Sequence, residues 1–213
     1  MKKFGNFFLK KLQKGSFNAS KLTKTAIGFP VLFINFKTYK EATGSKALKL
    51  ASIAKKISVE SKTELVIVAQ TADIAAISKL GIKVFAQHTD PISYGSNTGF
   101  VLPEAVKEAG AKGTVLNHAE HKLTDDVIEK SIARAKETGL LVMACAESTE
   151  RARKIASFAT KPDLIAIEPP ELIGGNISVS TAKPEIISDT IKAVYSVAKI
   201  PVITGAGIKN AAD

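Results

Sequence analysis

Residues 163–175 read DLIAIEPPELIGG, and this stretch joins a continuous apolar run to a carboxylate. An apolar run without alternation is typical of a strand that is buried on both faces of a parallel sheet. Glu168 ends the run, two prolines restrict the backbone after it, and Gly174 and Gly175 permit unusual dihedral angles further on. A segment with such ends can move as a lid. Glu168 is therefore either a base beneath a lid or a solvated residue at a strand end.

The same order of apolar strand and amphipathic helix recurs from residue 30 to residue 204. The pattern predicts seven strands, at 31–36, 65–69, 82–86, 114–116, 140–144, 164–167 and 202–204. It predicts helices at 46–59, 71–80, 103–109, 125–137, 149–158 and 184–198, with Thr124 as the cap of the fourth. Such alternation indicates a parallel sheet covered by helices. A doubly wound sheet would carry a dinucleotide fingerprint after its first strand, and none is present.

Charge divides the chain into two parts. The net charge is +10, but residues 1–29 hold seven lysines and no acidic residue, which leaves 23 basic against 20 acidic residues in the remainder. We predict a basic extension at 1–28, either disordered or a short amphipathic helix, and a barrel at 29–213. A transit peptide or a membrane-surface contact are alternatives for the extension. No nucleic-acid or membrane partner is expected for the barrel.

Other sequence features narrow the class of protein. No apolar run approaches the roughly 20 residues that span a bilayer. A single cysteine, Cys145, cannot form an intramolecular disulfide and fits a reducing compartment, so we predict a cytoplasmic location. We interpret Cys145 as a small core residue. Neither a zinc pattern, a phosphate-binding Walker loop nor a nucleophile elbow is visible, and we predict no metal and no cofactor.

Polar residues follow several different predicted strands. Asn35 and Lys37 share one side of the first strand end, because side chains alternate along a strand. His118 closes the fourth strand, and Gly205 and Gly207 follow the seventh. Residues at the carboxyl ends of different strands meet at the mouth of a (β/α)8 barrel. The sequence therefore predicts a barrel whose mouth holds these groups together with Glu168.

These groups suit one kind of chemistry. A carboxylate can remove a proton from the carbon next to a carbonyl, an imidazole can polarise that carbonyl, and an ammonium can steady the resulting anion. Backbone amides beside Gly205 and Gly207 can approach a phosphate. The set therefore predicts proton transfer in a small phosphorylated substrate. Ordinary exposed strand ends remain the alternative for each residue taken alone.

The constellation resembles the triosephosphate isomerase family, especially its compact archaeal branch. The matching stretches are 34–39 (INFKTY), 86–91 (AQHTDP), 97–99 (NTG), 116–121 (LNHAEH), 167–174 (IEPPELIG) and 203–208 (ITGAGI). The resemblance implies an isomerase of glycolysis that interconverts dihydroxyacetone phosphate and D-glyceraldehyde 3-phosphate. It implies that Glu168 is the base and His118 the neutral electrophile, the pairing that is established for this family.

The resemblance also implies further roles. Lys37 is the cationic binder with Asn35 beside it, and backbone amides at Gly174 or Gly175 and at Gly207 hold the phosphate. The loop that bears Thr98 reaches a neighbouring subunit in this family, which implies a homodimer or a homotetramer.

Two departures from the family pattern stand out. Ala119 occupies a position where relatives usually carry serine, which removes a hydroxyl next to His118. The sequence ends at Asp213, after the seventh strand, so we expect an incomplete barrel that lacks the last helix, strand and helix and leaves two sheet edges unpaired. A non-catalytic truncated barrel and another phosphate-binding barrel enzyme are the alternative interpretations.

Overall fold

The computed structural model describes residues 27–169 and 184–205. The strands are β1 Val31–Asn35, β2 Glu64–Ala69, β3 Lys83–Ala86, β4 Gly113–Leu116, β5 Leu141–Ala146, β6 Leu164–Ile167 and β7 Val202–Thr204. The helices are α1 Ser45–Ser61, α2 Thr71–Ser78, α3 Pro103–Glu108, α4 Asp125–Glu137, α5 Thr149–Ser157 and α6 Pro184–Tyr195, and a short 3-10 helix spans Lys40–Ala42.

The seven strands form one parallel sheet in chain order. Each strand pairs with the next one along the chain, and a helix or a loop with a helix crosses over between neighbours. Sequential parallel strands joined by helical crossovers are the architecture of a (β/α) barrel. Among the residues that the structure describes, β1 pairs only with β2 and β7 only with β6. The predicted barrel architecture with seven strands is confirmed.

Two separate hydrophobic clusters lie on the two faces of the sheet. The inner cluster is built from alternate strand residues, namely Val66, Val68, Phe85, Val115, Met143, Cys145, Leu164 and Ala166, together with Ile27. The outer cluster lies between the strands and the helices and includes Leu65, Ile67, Val84, Val142, Ile165 and apolar residues of the helices. Because both faces are covered, the strands are apolar at nearly every position, which explains the continuous runs.

Packing inside the sheet leaves little space between neighbouring strands. The rings of Phe33 and Phe85 meet edge to face with their centroids 5.3 Å apart. A methyl group on Gly113 would collide with the ring of Phe85 and with the backbone oxygen of Leu141. Gly113 therefore begins β4 because only glycine leaves room for the Phe85 ring.

Several boundaries and caps differ from the predicted ones. β5 extends to Ala146, two residues beyond the predicted end. Thr124 occupies the N-cap position of α4, but its side chain makes no capping hydrogen bond. Ser148 does cap α5, because its hydroxyl accepts a hydrogen bond from the backbone N–H of Arg151 at 3.1 Å. Capping depends on the side-chain rotamer, which residue type alone does not determine.

The outer face of β1 and α1 is only partly covered. Exposed apolar side chains there are Leu32, Leu50, Ile53 and Ile57. Within the described ranges, no helix is both long enough and apolar enough to cross a membrane. Residues 1–26, which hold most of the predicted extension, lie outside the described residues, so that domain division stays a prediction.

Candidate active site

A cavity of about 440 Å³ opens at the carboxyl ends of the strands. Its walls include inward residues of β1, β5 and β6, and four predicted site residues reach it: Asn35, Lys37, His118 and Glu168. Gly205 lies at its rim. The strands are parallel, so their carboxyl ends meet on one side of the sheet, and groups that are distant in sequence share one cavity.

Glu168 follows β6 directly and is held by its backbone. Its N–H donates to the carbonyl oxygen of Ala146 at 2.9 Å, which continues the β5–β6 pairing by one residue. The side chain is 15% exposed, and its Oε2 is buried without a hydrogen-bond partner among the described residues. Burial raises the pKa of Glu168, while His118, the Cys145 thiol and Lys37 act in the opposite direction. The result is a carboxylate that is weakly solvated and ready to accept a proton.

His118 faces Glu168 across the cavity. Its Nε2 lies 3.8 Å from Oε2 of Glu168, and its side chain is 14% exposed. The other ring nitrogen, Nδ1, accepts a hydrogen bond from the backbone N–H of Glu120 at 3.1 Å. A nitrogen that accepts a hydrogen bond carries no proton, so the neutral ring is protonated at Nε2. The geometry therefore points an N–H donor of His118 into the cavity.

Lys37 also lines the cavity, and its backbone conformation is constrained. Its φ is 47°, a left-handed conformation that is uncommon outside glycine. Asn35 Oδ1 accepts from the Lys37 N–H at 2.9 Å, and the Gln87 side-chain amide donates to the Lys37 carbonyl oxygen at 2.8 Å. The Lys37 ammonium pairs with Glu120 at 2.7 Å. These contacts fix where the lysine leaves the strand.

Glu120 connects the lysine to the histidine. Oε1 of Glu120 contacts Lys37, while its Oε2 lies 3.6 Å from Nδ1 of His118. The carboxylate is largely exposed, so an arriving anion can compete with it for the Lys37 ammonium. Glu120 is therefore the partner of the Lys37 ammonium in this structure.

Cys145 lies under the carboxylate of Glu168 as a buried thiol. Burial raises the pKa of Cys145 well above its ordinary value, and the nearby charge of Glu168 acts in the same direction. A thiol that stays protonated is a poor nucleophile. Cys145 therefore lies in the core, as predicted, and contributes a neutral group beside the base.

The structure locates some predicted residues and leaves others outside its described ranges. Gly174, Gly175, Gly207 and the predicted lid after Pro169 lie outside the described residues. Two residues that support the site through hydrogen bonds, Gln87 and Asn117, were not predicted from the sequence. Both directly follow a strand, β3 and β4, and a polar residue at that position is the signal that could have found them. Across the described ranges, no group of three metal-ligating side chains is placed to hold a metal ion.

A parallel barrel sheet with chemistry-bearing groups at its strand ends defines the class of (β/α)-barrel enzymes. The family model of triosephosphate isomerase matches residues 30–213. The triosephosphate isomerase of Methanothermus fervidus is 42% identical over 186 residues, covering 86% of this chain and 83% of the relative. That of Methanocaldococcus jannaschii is 41% identical over 185 residues, covering 86% and 84%. The chain belongs to the triosephosphate isomerase family, in its archaeal-type branch.

A solved structure supports the fold independently. The triosephosphate isomerase of Bartonella henselae aligns with a TM-score of 0.62 at 22% sequence identity, covering 83% of this chain and 82% of that chain. At this identity the likeness speaks for the barrel fold alone. The family assignment rests on the family model and on the archaeal relatives, and it makes the chain a glycolytic isomerase.

Proposed function

We propose that this isomerase interconverts dihydroxyacetone phosphate and D-glyceraldehyde 3-phosphate and that Glu168, His118 and Lys37 carry the reaction. The observation that carries the proposal is the pairing across one cavity of a poorly solvated carboxylate with an imidazole N–H, 3.8 Å apart. A substrate with a carbonyl next to a hydroxyl-bearing carbon can lie in the cavity against both groups. Names of the relatives support the choice of a triose phosphate.

The geometry supports the following steps. Glu168 takes the proton from the carbon next to the carbonyl, the electron pair of that C–H bond forms a double bond to the carbonyl carbon, and the π pair of the carbonyl moves onto its oxygen. The N–H at Nε2 of His118 and the Lys37 ammonium stabilise the negative charge on that oxygen. Glu168 then returns the proton to the former carbonyl carbon. The hydroxyl proton on the first carbon moves to the oxygen of the former carbonyl, and the first carbon becomes the new carbonyl carbon. No atom is gained or lost.

Phosphate binding is assigned to backbone amides. Gly174 or Gly175 after β6 and Gly205 and Gly207 after β7 are the candidates, and Gly205 is the one within the described residues, exposed at the rim of the cavity. Glycines allow backbone N–H groups to approach an anion closely. The Lys37 ammonium adds a positive charge near the same rim.

We also propose a cytoplasmic homo-oligomer, a dimer or a tetramer. The loop between β3 and α3 carries Tyr94, 76% exposed, and Phe100, 58% exposed. Exposed aromatic side chains on one loop favour an interface. Sedimentation of the protein and of the Tyr94→Asp/Phe100→Asp variant tests this. A smaller particle for the variant supports the proposal, and unchanged sedimentation contradicts the assignment of the interface to this loop.

A coupled assay of both triose phosphates tests the catalytic roles. Glu168→Gln should lower kcat by about 10³-fold or more, because an amide cannot accept the proton. Glu147→Gln is the matched control: Glu147 directly follows β5, pairs with Lys122 at 3.8 Å and does not line the cavity. Equal activity of Glu168→Gln and the unmodified protein would refute the assigned base. No activity in the unmodified protein would favour the non-catalytic barrel.

A further inference from the structure

Asn117 joins β4 to His118 and is almost completely buried, at 4% exposure. Its φ is 58°, so the chain turns out of the strand through a left-handed residue. Asparagine and glycine tolerate this conformation better than other residues. The turn directs the next side chain, His118, into the cavity. The role of Asn117 is not limited to this backbone conformation, because both polar atoms of its side-chain amide also make hydrogen bonds.

The side-chain amide of Asn117 makes two hydrogen bonds to backbone groups. Its Nδ2 donates to the carbonyl oxygen of Cys145 at 2.9 Å, and its Oδ1 accepts from the N–H of Leu123 at 2.9 Å. One partner is a carbonyl and the other an N–H, so the orientation of the amide is determined by its contacts. Buried polar atoms that are paired in this way hold their neighbours rigidly.

The bond to Cys145 connects His118 to the backbone that holds Glu168. The residue after Cys145 is Ala146, whose carbonyl oxygen accepts from the Glu168 N–H at 2.9 Å. Two consecutive carbonyls at the end of β5 therefore hold the histidine-bearing turn on one side and the carboxylate-bearing residue on the other. The 3.8 Å separation of His118 Nε2 from Glu168 Oε2 therefore depends on these two backbone hydrogen bonds.

The bond to Leu123 closes the loop that carries the histidine. Within residues 117–123, the His121 N–H donates to the His118 carbonyl oxygen at 2.8 Å, and the Glu120 N–H donates to His118 Nδ1 at 3.1 Å. The second of these bonds selects the ring tautomer with its proton on Nε2. Asn117 joins the two ends of this loop, so it supports both the position and the tautomer of the ring.

We propose that Asn117 is a positioning residue that holds the imidazole of His118 in register with the Glu168 carboxylate and in the Nε2–H tautomer. The inference rests on the proposed function, in which those two groups act on the substrate. Asn117 itself touches neither the cavity nor the substrate, because its amide is used by Cys145 and Leu123. A displacement of about 1 Å at a reacting group can cost about 100-fold in rate.

The test uses Asn117→Gly, which keeps the left-handed backbone and removes both side-chain bonds. We expect kcat to fall by about 10- to 100-fold with KM within about two-fold. Thr114→Val is the matched control: Thr114 lies in β4 and is buried, and the variant loses the 3.3 Å hydrogen bond that Thr89 donates to its hydroxyl and the 3.2 Å bond that this hydroxyl donates to the Val115 carbonyl oxygen. This control should lose thermal stability and keep kcat. A similar kcat for Asn117→Gly and Thr114→Val would overturn the proposal.

A double-variant comparison separates this inference from the proposed function. If Asn117 acts through His118, Asn117→Gly should change kcat by less than about two-fold in a His118→Gln background. Full additivity of the two changes would overturn the positioning role. If His118→Gln alone keeps full activity, the proposed function fails instead.

Nitrogen NMR of the His118 ring gives a second readout. We expect the Nε2–H form in the unmodified protein and a mixture of tautomers in Asn117→Gly. Asn117→Asp replaces the glycine variant in this experiment should that variant not fold.

Discussion

The Glu168 side chain has an oxygen that is buried and has no hydrogen-bond partner within the described residues, and its pKa is raised by burial. Ionised Glu168 therefore opposes folding, and the ionised form is the one that the proposed proton transfer requires. A carboxyl group whose pKa is raised in the folded state stabilises that state below the pKa of the unfolded chain. This contribution is lost as the pH rises through the folded pKa. Function at neutral pH thus has a cost in stability at this residue.

Glu168→Gln should therefore unfold at a higher temperature than the unmodified protein at pH 7 to 8. The difference should shrink as the pH falls through the raised pKa of Glu168, because the native carboxyl group is then neutral as well. Thermal unfolding monitored by circular dichroism at several pH values measures this. A variant that is less stable than the native protein at pH 8 would contradict the sign of the pKa shift.

At the scale of secondary-structure elements, α4 holds α3 and the loop that precedes it. Arg134 on α4 pairs with Glu104 at 2.6 Å and donates from Nε to the Ile92 carbonyl oxygen at 3.0 Å. Burial acts to raise the pKa of Glu104, but the hydrogen bond from Arg134, a backbone hydrogen bond and the Arg134 charge together outweigh burial, and the pKa is lowered. The pair therefore stabilises the fold above the ordinary glutamate pKa and loses this effect as the pH falls through the folded pKa.

Arg134→Met should lower the free energy of unfolding by about 1–3 kcal/mol at neutral pH, since Glu104 loses its partner in a partly buried place. Lys130→Met is the control on the same helix: it removes an exposed pair with Asp126 and should change stability by less than about 0.5 kcal/mol. Urea unfolding at pH 7 and at pH 3 measures both. Equal losses in the two variants would show that the Arg134 contacts add no stability beyond a surface pair.

The sequence predicts strands well here because the strands in the middle of the sheet are covered on both faces. β6 and β7 have the predicted bounds, and α4 does as well. The placement of Lys37 and His118 at one end of the sheet also follows from strand order. What could not be predicted are contacts between side chains and distant backbone. Asn117 meets Cys145 across 28 positions and Gln87 meets Lys37 across 50, and no local pattern encodes such distances.

At the scale of the whole molecule, charge is distributed unevenly. The seven lysines that precede residue 27 account for most of the net charge of +10. Ile27 is buried inside the sheet, and the Gly28 N–H donates to Glu64 at 2.5 Å. The predicted boundary at residue 28 is therefore best tested by a deletion that stops at residue 26 and keeps these contacts.

Deleting residues 2–26 should weaken binding to a heparin column, so that the protein elutes at lower salt, because multiple lysine contacts to a polyanion are lost. The isomerase kcat/KM should stay within about two-fold, since the described cavity is formed entirely by later residues. If the deletion variant and the full chain eluted at the same salt concentration, the barrel and not the extension would bind the polyanion. Loss of activity would contradict the separation of extension and barrel.

The central claim, that Glu168 transfers the substrate proton, is tested most directly by running the reaction from dihydroxyacetone phosphate in D₂O and recording the proton NMR spectrum. The proton held by Glu168 exchanges with solvent, so the aldehyde product should carry deuterium at the carbon next to the carbonyl. Glu147→Gln should incorporate deuterium at the native rate, and Glu168→Gln should incorporate none above the uncatalysed reaction. Incorporation by Glu168→Gln at the native rate would contradict the account.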